Sequence, residues 1–147
     1  VNTLGTFLMS REAARVMMGA KRGRIVNFST VAVPFHLAGE AAYVAAKAGV
    51  EALTRVLAQE FAPFGITVNA VAPGPIETDM VKAVHTERTR AGWLREVPMG
   101  RYGEPADVAE AVAYLVSDGA GYVTGHVLCV DGGFAAAGLL IPVEDLG

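Results

Sequence analysis

Tyr43 and Lys47 stand four residues apart in the run AAYVAAKAGVEALTRVLAQEF, residues 41–61. On a helix that spacing puts both side chains on one face. A free phenol ionises near about 10, too high for acid/base work at neutrality. An ammonium one turn away favours the phenolate. A pair arranged this way can hand a proton to a carbonyl oxygen or take one from an alcohol. Taken alone, such a pair more often decorates a solvated helix face.

The surrounding elements give the pair its context. GRIVNFST, residues 23–30, is a β-branched and aromatic run bounded by glycine and reads as a buried strand. It delivers Ser29 and Thr30 at its C-terminal end, where ligands bind in open parallel sheets. A hydroxyl there can hold a substrate oxygen against the phenol, although both residues also suit a loop cap. A second strand, ITVNAVAPG, ends in the turn Pro73-Gly74-Pro75, followed by Ile76, Glu77 and Thr78. VTGHVLCVDGG gives a third strand that ends in glycines.

Helices fill the intervals. Leu4, Leu8, Val16 and Met17 recur at helical spacing over residues 4–18, and Gly19, Lys21, Arg22, Gly23 and Arg24 end that pattern. The helix of residues 41–61 is closed by Pro63 and Gly65. Residues 76–100 read as a mobile helical flap, and Glu104-Pro105 opens a further helix with Ala109, Val112, Ala113, Leu115 and Val116 on its apolar face. The order is α-β-α-β-α-α-β. It predicts an α/β fold with a parallel sheet covered on both faces and right-handed crossovers. Three strands make a thin doubly wound sheet with an open edge.

Composition narrows the function classes. The chain has 147 residues, 52% of them hydrophobic, enough for one domain with a core. Net charge is −3 with no run of like charges, so neither nucleic acid nor an anionic membrane is expected as a partner. No apolar stretch reaches the roughly 20 residues that span a bilayer. No basic-then-apolar signal peptide opens the chain. The single Cys129 fits a reducing cytoplasm. The chain opens on Val1, already in a helical pattern, which points to an upstream portion missing from this sequence.

Taken in order, the strand-hydroxyl-YxxxK array, NAVAPGPIETDM, RYGEPADVAEAVAYLVSD and VTGHVLCVDGG resemble the single-domain branch of the short-chain dehydrogenase/reductase family, over Val1 to about Phe134. The group is similar to the β-ketoacyl-acyl-carrier-protein reductases. The resemblance implies a Rossmann-like doubly wound parallel sheet, of which this chain is the C-terminal, catalytic half. It implies an NAD(P)-dependent oxidoreductase that interconverts a carbonyl and an alcohol, with NADP slightly favoured. Tyr43 matches the acid/base and Lys47 the lysine that assists it and holds the nicotinamide ribose. Thr30, thirteen before the tyrosine, matches the serine that orients the carbonyl. Asn2 matches the asparagine that keeps a relay water. Pro73, Gly74, Ile76 and Thr78 match the segment along the nicotinamide, and residues 77–100 the flap over the substrate. Tyr43 and Lys47 thus count as both catalytic and cofactor-binding.

Two departures stand out. Thr30 replaces the usual serine, and its methyl fixes the rotamer and narrows the pocket. Ser29 would alternate to the other strand face. The family's TGxxxGxG pyrophosphate loop is absent. The nearest likeness, GAGYVTG at 119–125, precedes a strand where such a loop would follow one.

Other residues carry less. His36 lies at the expected pocket mouth and fits a solvated loop. His85 and His126 lack partners at metal-ligand spacing, so no metal is expected. Cys129, between Leu128 and Val130, reads as a small core residue. Trp93 with Arg88, Arg90 and Arg95 suits a solvated flap helix better than a grip on an anionic tail. Asn69 reads as structural. The Met17-Met18 pair and the Ala-rich faces of the long helices suit helix packing, and the resemblance implies a homodimer or homotetramer. The rival reading is an inactive remnant or an oligomerisation partner that lacks the pyrophosphate site. An epimerase or dehydratase of the wider family fits less well, because those relatives carry a longer substrate domain.

Overall fold

The computed structural model describes residues 2–35 and 38–137. Helix α1, Asn2–Ala20, leads into strand β1, Gly23–Phe28. A short helix α2, Ala32–Phe35, precedes α3, Ala41–Phe61. Strand β2, Ile66–Pro73, is followed by α4, Asp79–Val84, and α5, Glu87–Glu96. Helix α6, Pro105–Val116, and strand β3, Val127–Val130, complete the described elements.

The sheet is parallel throughout, in the order β1-β2-β3, with Val26 opposite Asn69 and Ala70 opposite Val127. Strand β2 is central and buried from Ile66 to Ala72. An apolar run without alternation gives this outcome, because both faces of the strand are covered. On one face Ile25, Ile66 and Val68 pack with Ala14 of α1 and with Leu57, Ala58 and Phe61 of α3. On the other, Val71 packs with Val108 and Leu115 of α6, joined by Val26, Leu128 and Val130. The Rossmann-like α/β architecture read from the sequence is the one the chain adopts.

Helix α3 enters the sheet through Gly65. Its φ is +70°, and a Cβ there would lie 2.3 Å from the Lys21 carbonyl oxygen. Gly65→Ala combines a left-handed backbone with a clash against main chain. It is expected to cost at least about 2 kcal/mol. Urea unfolding reads this as a lower midpoint at an unchanged slope, and an unmoved midpoint would contradict the assignment.

The structure departs from the sequence reading at several points. The loop after β1 winds into the single turn α2. The flap is two helices, capped by the hydroxyls of Thr78, which accepts from Val81 N, and Thr86, which accepts from Thr89 N. The third strand is short because Gly125, Gly132 and Gly133 take positive φ around it and end the ladder. Cys129 is exposed, which corrects the expectation of a core thiol. Leu128 and Val130 take the face beneath α6, so the residue between them points away from it. His36, read as a solvated loop residue, lies outside the described residues.

Candidate active site

The C-terminal ends of β1 and β2 open on a cleft of about 670 Å³. Thr30, Tyr43, Lys47, Pro73, Gly74, Ile76 and Thr78 all line it. Phe28, Met80, Val81, Val108 and Val112 supply apolar wall. Parallel strands bring their carboxyl ends to one side, which is why residues far apart in sequence meet there.

Helix α3 crosses above this edge and presents Tyr43 and then Lys47 one turn later. The Lys47 ammonium donates to the Phe28 carbonyl at 2.8 Å and lies 5.8 Å from the Tyr43 ring centroid. An ammonium carries three donors, so this bond leaves two. Burial lowers the Lys47 pKa from the ordinary lysine value. Tyr43 is 41% exposed, with its ring at the cleft.

The two hydroxyls at the end of β1 have different partners. Ser29 is buried, and its Oγ donates to Glu51 Oε1 at 2.7 Å. Thr30 is half-buried, and its Oγ1 accepts from Ala32 N at 3.2 Å. The Thr30 hydroxyl proton is not used by that bond.

The turn after β2 is held tightly. Gly74 N donates to the Val130 carbonyl at 3.0 Å, and a Cβ on Gly74 would lie 2.9 Å from Asp131 Cα. Only glycine lets β2 and β3 close up there. Ile76 bridges to Gly103 in parallel register. Thr78 caps α4 with its oxygen and keeps its hydroxyl proton available.

Asn2 is placed apart from these residues. It is exposed in the first turn of α1 and is not among the cleft residues. Its neighbour Thr3 donates from Oγ1 to the Ala46 carbonyl at 2.8 Å, which ties the start of α1 to α3 beside Lys47.

The flap is fastened by contacts that the sequence did not reveal. Arg90 pairs with Glu77 and lies over the Tyr102 ring, 4.4 Å from its centroid. His85 Nδ1 and the Tyr102 hydroxyl are 3.0 Å apart. Burial raises the Tyr102 pKa, and nearby Arg90 works against that rise. Trp93 packs on Phe134 at 5.1 Å, and Phe134 meets Phe35 at 5.0 Å. Arg90 is therefore already partnered, and Trp93 is half-buried against Phe134 on a helix that is otherwise largely exposed, as its polar sequence suggested.

A nicotinamide–ribose group suits this cleft: it meets an ammonium, hydroxyls and a glycine turn beside apolar wall.

Comparison with known proteins places these features in context. A family model described as enoyl-(acyl carrier protein) reductase matches residues 1–135. A 3-oxoacyl-(acyl-carrier-protein) reductase of Vibrio cholerae is 48% identical over 132 residues, covering 90% of this chain and 54% of the relative. The Escherichia coli protein of the same name is 46% identical over equal shares. A short-chain type dehydrogenase/reductase from Mycobacterium ulcerans superposes with a TM-score of 0.90 at 34% identity, over 92% of this chain and 50% of that one. The chain spans about half the length of the curated relatives it matches.

Proposed function

The chain belongs to the short-chain dehydrogenase/reductase family, and from that premise we propose that it carries the proton-transfer half of an NAD(P)-dependent carbonyl reductase. The observation that supports this best is the meeting of Thr30, Tyr43 and Lys47 at one cleft beside the Gly74 turn. Bound there, the nicotinamide supplies or accepts the hydride; NADP is slightly favoured over NAD. In reduction, the Thr30 hydroxyl donates to the carbonyl oxygen and fixes it toward the phenol. Tyr43 delivers the proton to that oxygen as it becomes an alcohol. Lys47 holds its charge one turn away and offers its spare donors to ribose hydroxyls. Holding both reactants in one cleft supplies the orientation such a transfer needs.

The substrate we favour is a 3-oxoacyl thioester, after the names of the curated relatives. A second reading, reduction of a conjugated carbon–carbon double bond, takes its support from the description of the matching family model. Thr30 favours the first, since its donor suits an oxygen that gains charge and then a proton. We place the protein in the cytoplasm as a homodimer or homotetramer built on α1 and α3. Leu4, Met9, Val16 and Val56 expose apolar surface on those helices. Among the described residues no helix is long and apolar enough to cross a membrane. A monomer on light scattering would contradict the assembly.

NADPH consumption tests the reaction. Acetoacetyl thioester should drive it and crotonyl thioester should not; the reverse would establish the second reading. Thr30→Ala should lower turnover by about 10²–10³, the usual loss for a donor to a developing oxyanion. Ser29→Ala should cost roughly fivefold, in line with about 1 kcal/mol for a buried hydrogen bond. Equal, mild effects would move the substrate oxygen away from Thr30.

A further inference from the structure

We propose that Glu51 is a positioning residue for the proton-transfer site, acting through Ser29 to hold the Phe28–Thr30 backbone against Tyr43 and Lys47. The proposal rests on the carbonyl-reductase reading above.

Glu51 is only 8% exposed, on the face of α3 that otherwise carries Val50, Thr54, Leu57 and Ala58. A carboxylate in such a place is costly unless its oxygens are satisfied, and an apolar residue would pack there without that cost. Both oxygens have partners. Oε1 accepts from Ser29 Oγ at 2.7 Å, and Oε2 accepts from Arg55 Nη2 at 3.2 Å. Arg55 is about half exposed, so solvent screens its share. The bond to Ser29 is the buried one.

Position along the helix gives this bond its meaning. Tyr43, Lys47 and Glu51 follow one another at intervals of four on α3. The two lower members grip consecutive residues of the strand end. Lys47 takes the Phe28 carbonyl at 2.8 Å, and Glu51 takes the Ser29 hydroxyl. The same stretch is fastened to β2, because Ser29 N donates to the Val71 carbonyl at 2.7 Å and Val31 N to the Pro73 carbonyl at 3.2 Å. Thr30 lies between the two residues that β2 holds. Its height relative to the phenol is set by what α3 holds. Without the Glu51 contact, the strand end loses one of its two side-chain ties to α3, and the carbonyl that anchors Lys47 is held less firmly.

Titration of Lys47 by NMR, on the chain labelled with ¹³Cε-lysine, separates anchoring from charge by sign. In the wild type the midpoint lies below 10.5, because burial disfavours the ammonium. Deleting the Glu51 charge alone removes an attraction and moves that midpoint further down. Releasing the anchor lets Lys47 reach water and moves it up. The proposal therefore expects Ser29→Ala, which keeps the Glu51 charge, to raise the midpoint, whereas Glu51→Leu sets the two effects against each other. Glu51→Gln keeps an acceptor for Ser29 and should leave the midpoint level or slightly lower. Glu51→Leu added to Ser29→Ala should raise it no further, as for two residues acting through one contact. Turnover should fall in the same two variants, in kcat more than in KM, and survive in Glu51→Gln. A midpoint that falls or stays level in Ser29→Ala, with wild-type turnover intact, overturns the proposal and leaves the reductase reading standing. Absence of wild-type turnover on any carbonyl overturns both.

Discussion

Tyr43→Phe is expected to lower carbonyl-dependent NADPH oxidation by roughly 10²–10⁴, the range contributed by a positioned acid/base. The assay uses the polypeptide that carries this chain. The substitution removes one oxygen from a ring that is 41% exposed and whose face meets Lys47. Nothing in the core changes, so the unfolding midpoint should hold within the small range usual for exposed sites. The loss should appear in kcat and in kcat/KM alike, since the proton moves only in the transition state. A variant that keeps more than a tenth of its turnover would remove Tyr43 from the chemistry.

Asn69→Leu is expected to destabilise the fold by about 1–3 kcal/mol, because it removes two hydrogen bonds worth about 0.5–1.5 kcal/mol each. Asn69 is fully buried in β2. Its Nδ2 donates to the Val123 carbonyl at 2.8 Å, and its Oδ1 accepts from His126 N at 3.0 Å. These two bonds hold the turn that feeds β3 into the sheet. Leucine offers neither a donor nor an acceptor, so both main-chain groups lose their side-chain partner. Urea unfolding of the chain itself reads the effect and needs no activity. A change below about 0.5 kcal/mol would mean that water reaches Val123 and His126.

The sequence made the site's main parts legible because they depend on local spacing. Tyr43 and Lys47 share a face wherever α3 is helical, and the structure keeps that helix at Ala41–Phe61, the span its pattern indicated. Thr30 and the Pro73-Gly74 turn lie at strand ends, and a parallel sheet carries such ends to one side. Glu51 was not legible in the same way. It is one more charged residue on a helix until β1 places Ser29 against it, across 22 residues of chain. The contact of Trp93 with Phe134 was hidden for a similar reason, since 41 residues of chain separate the two rings. Cys129 misled through its neighbours, since Leu128 and Val130 describe one face of β3 and the thiol occupies the other. Asn2 kept its place at the start of α1, apart from the cleft residues.

Deuteride transfer tests the central claim most directly. The polypeptide that carries this chain is incubated with 4,4-dideuterated NADPH and an acetoacetyl thioester, and the product is examined by mass spectrometry and NMR. Our account predicts one deuterium on the carbinol carbon of a 3-hydroxyacyl thioester, with the label lost in Tyr43→Phe. A hydroxyacyl product without deuterium at that carbon, or undiminished labelling in Tyr43→Phe, would contradict it.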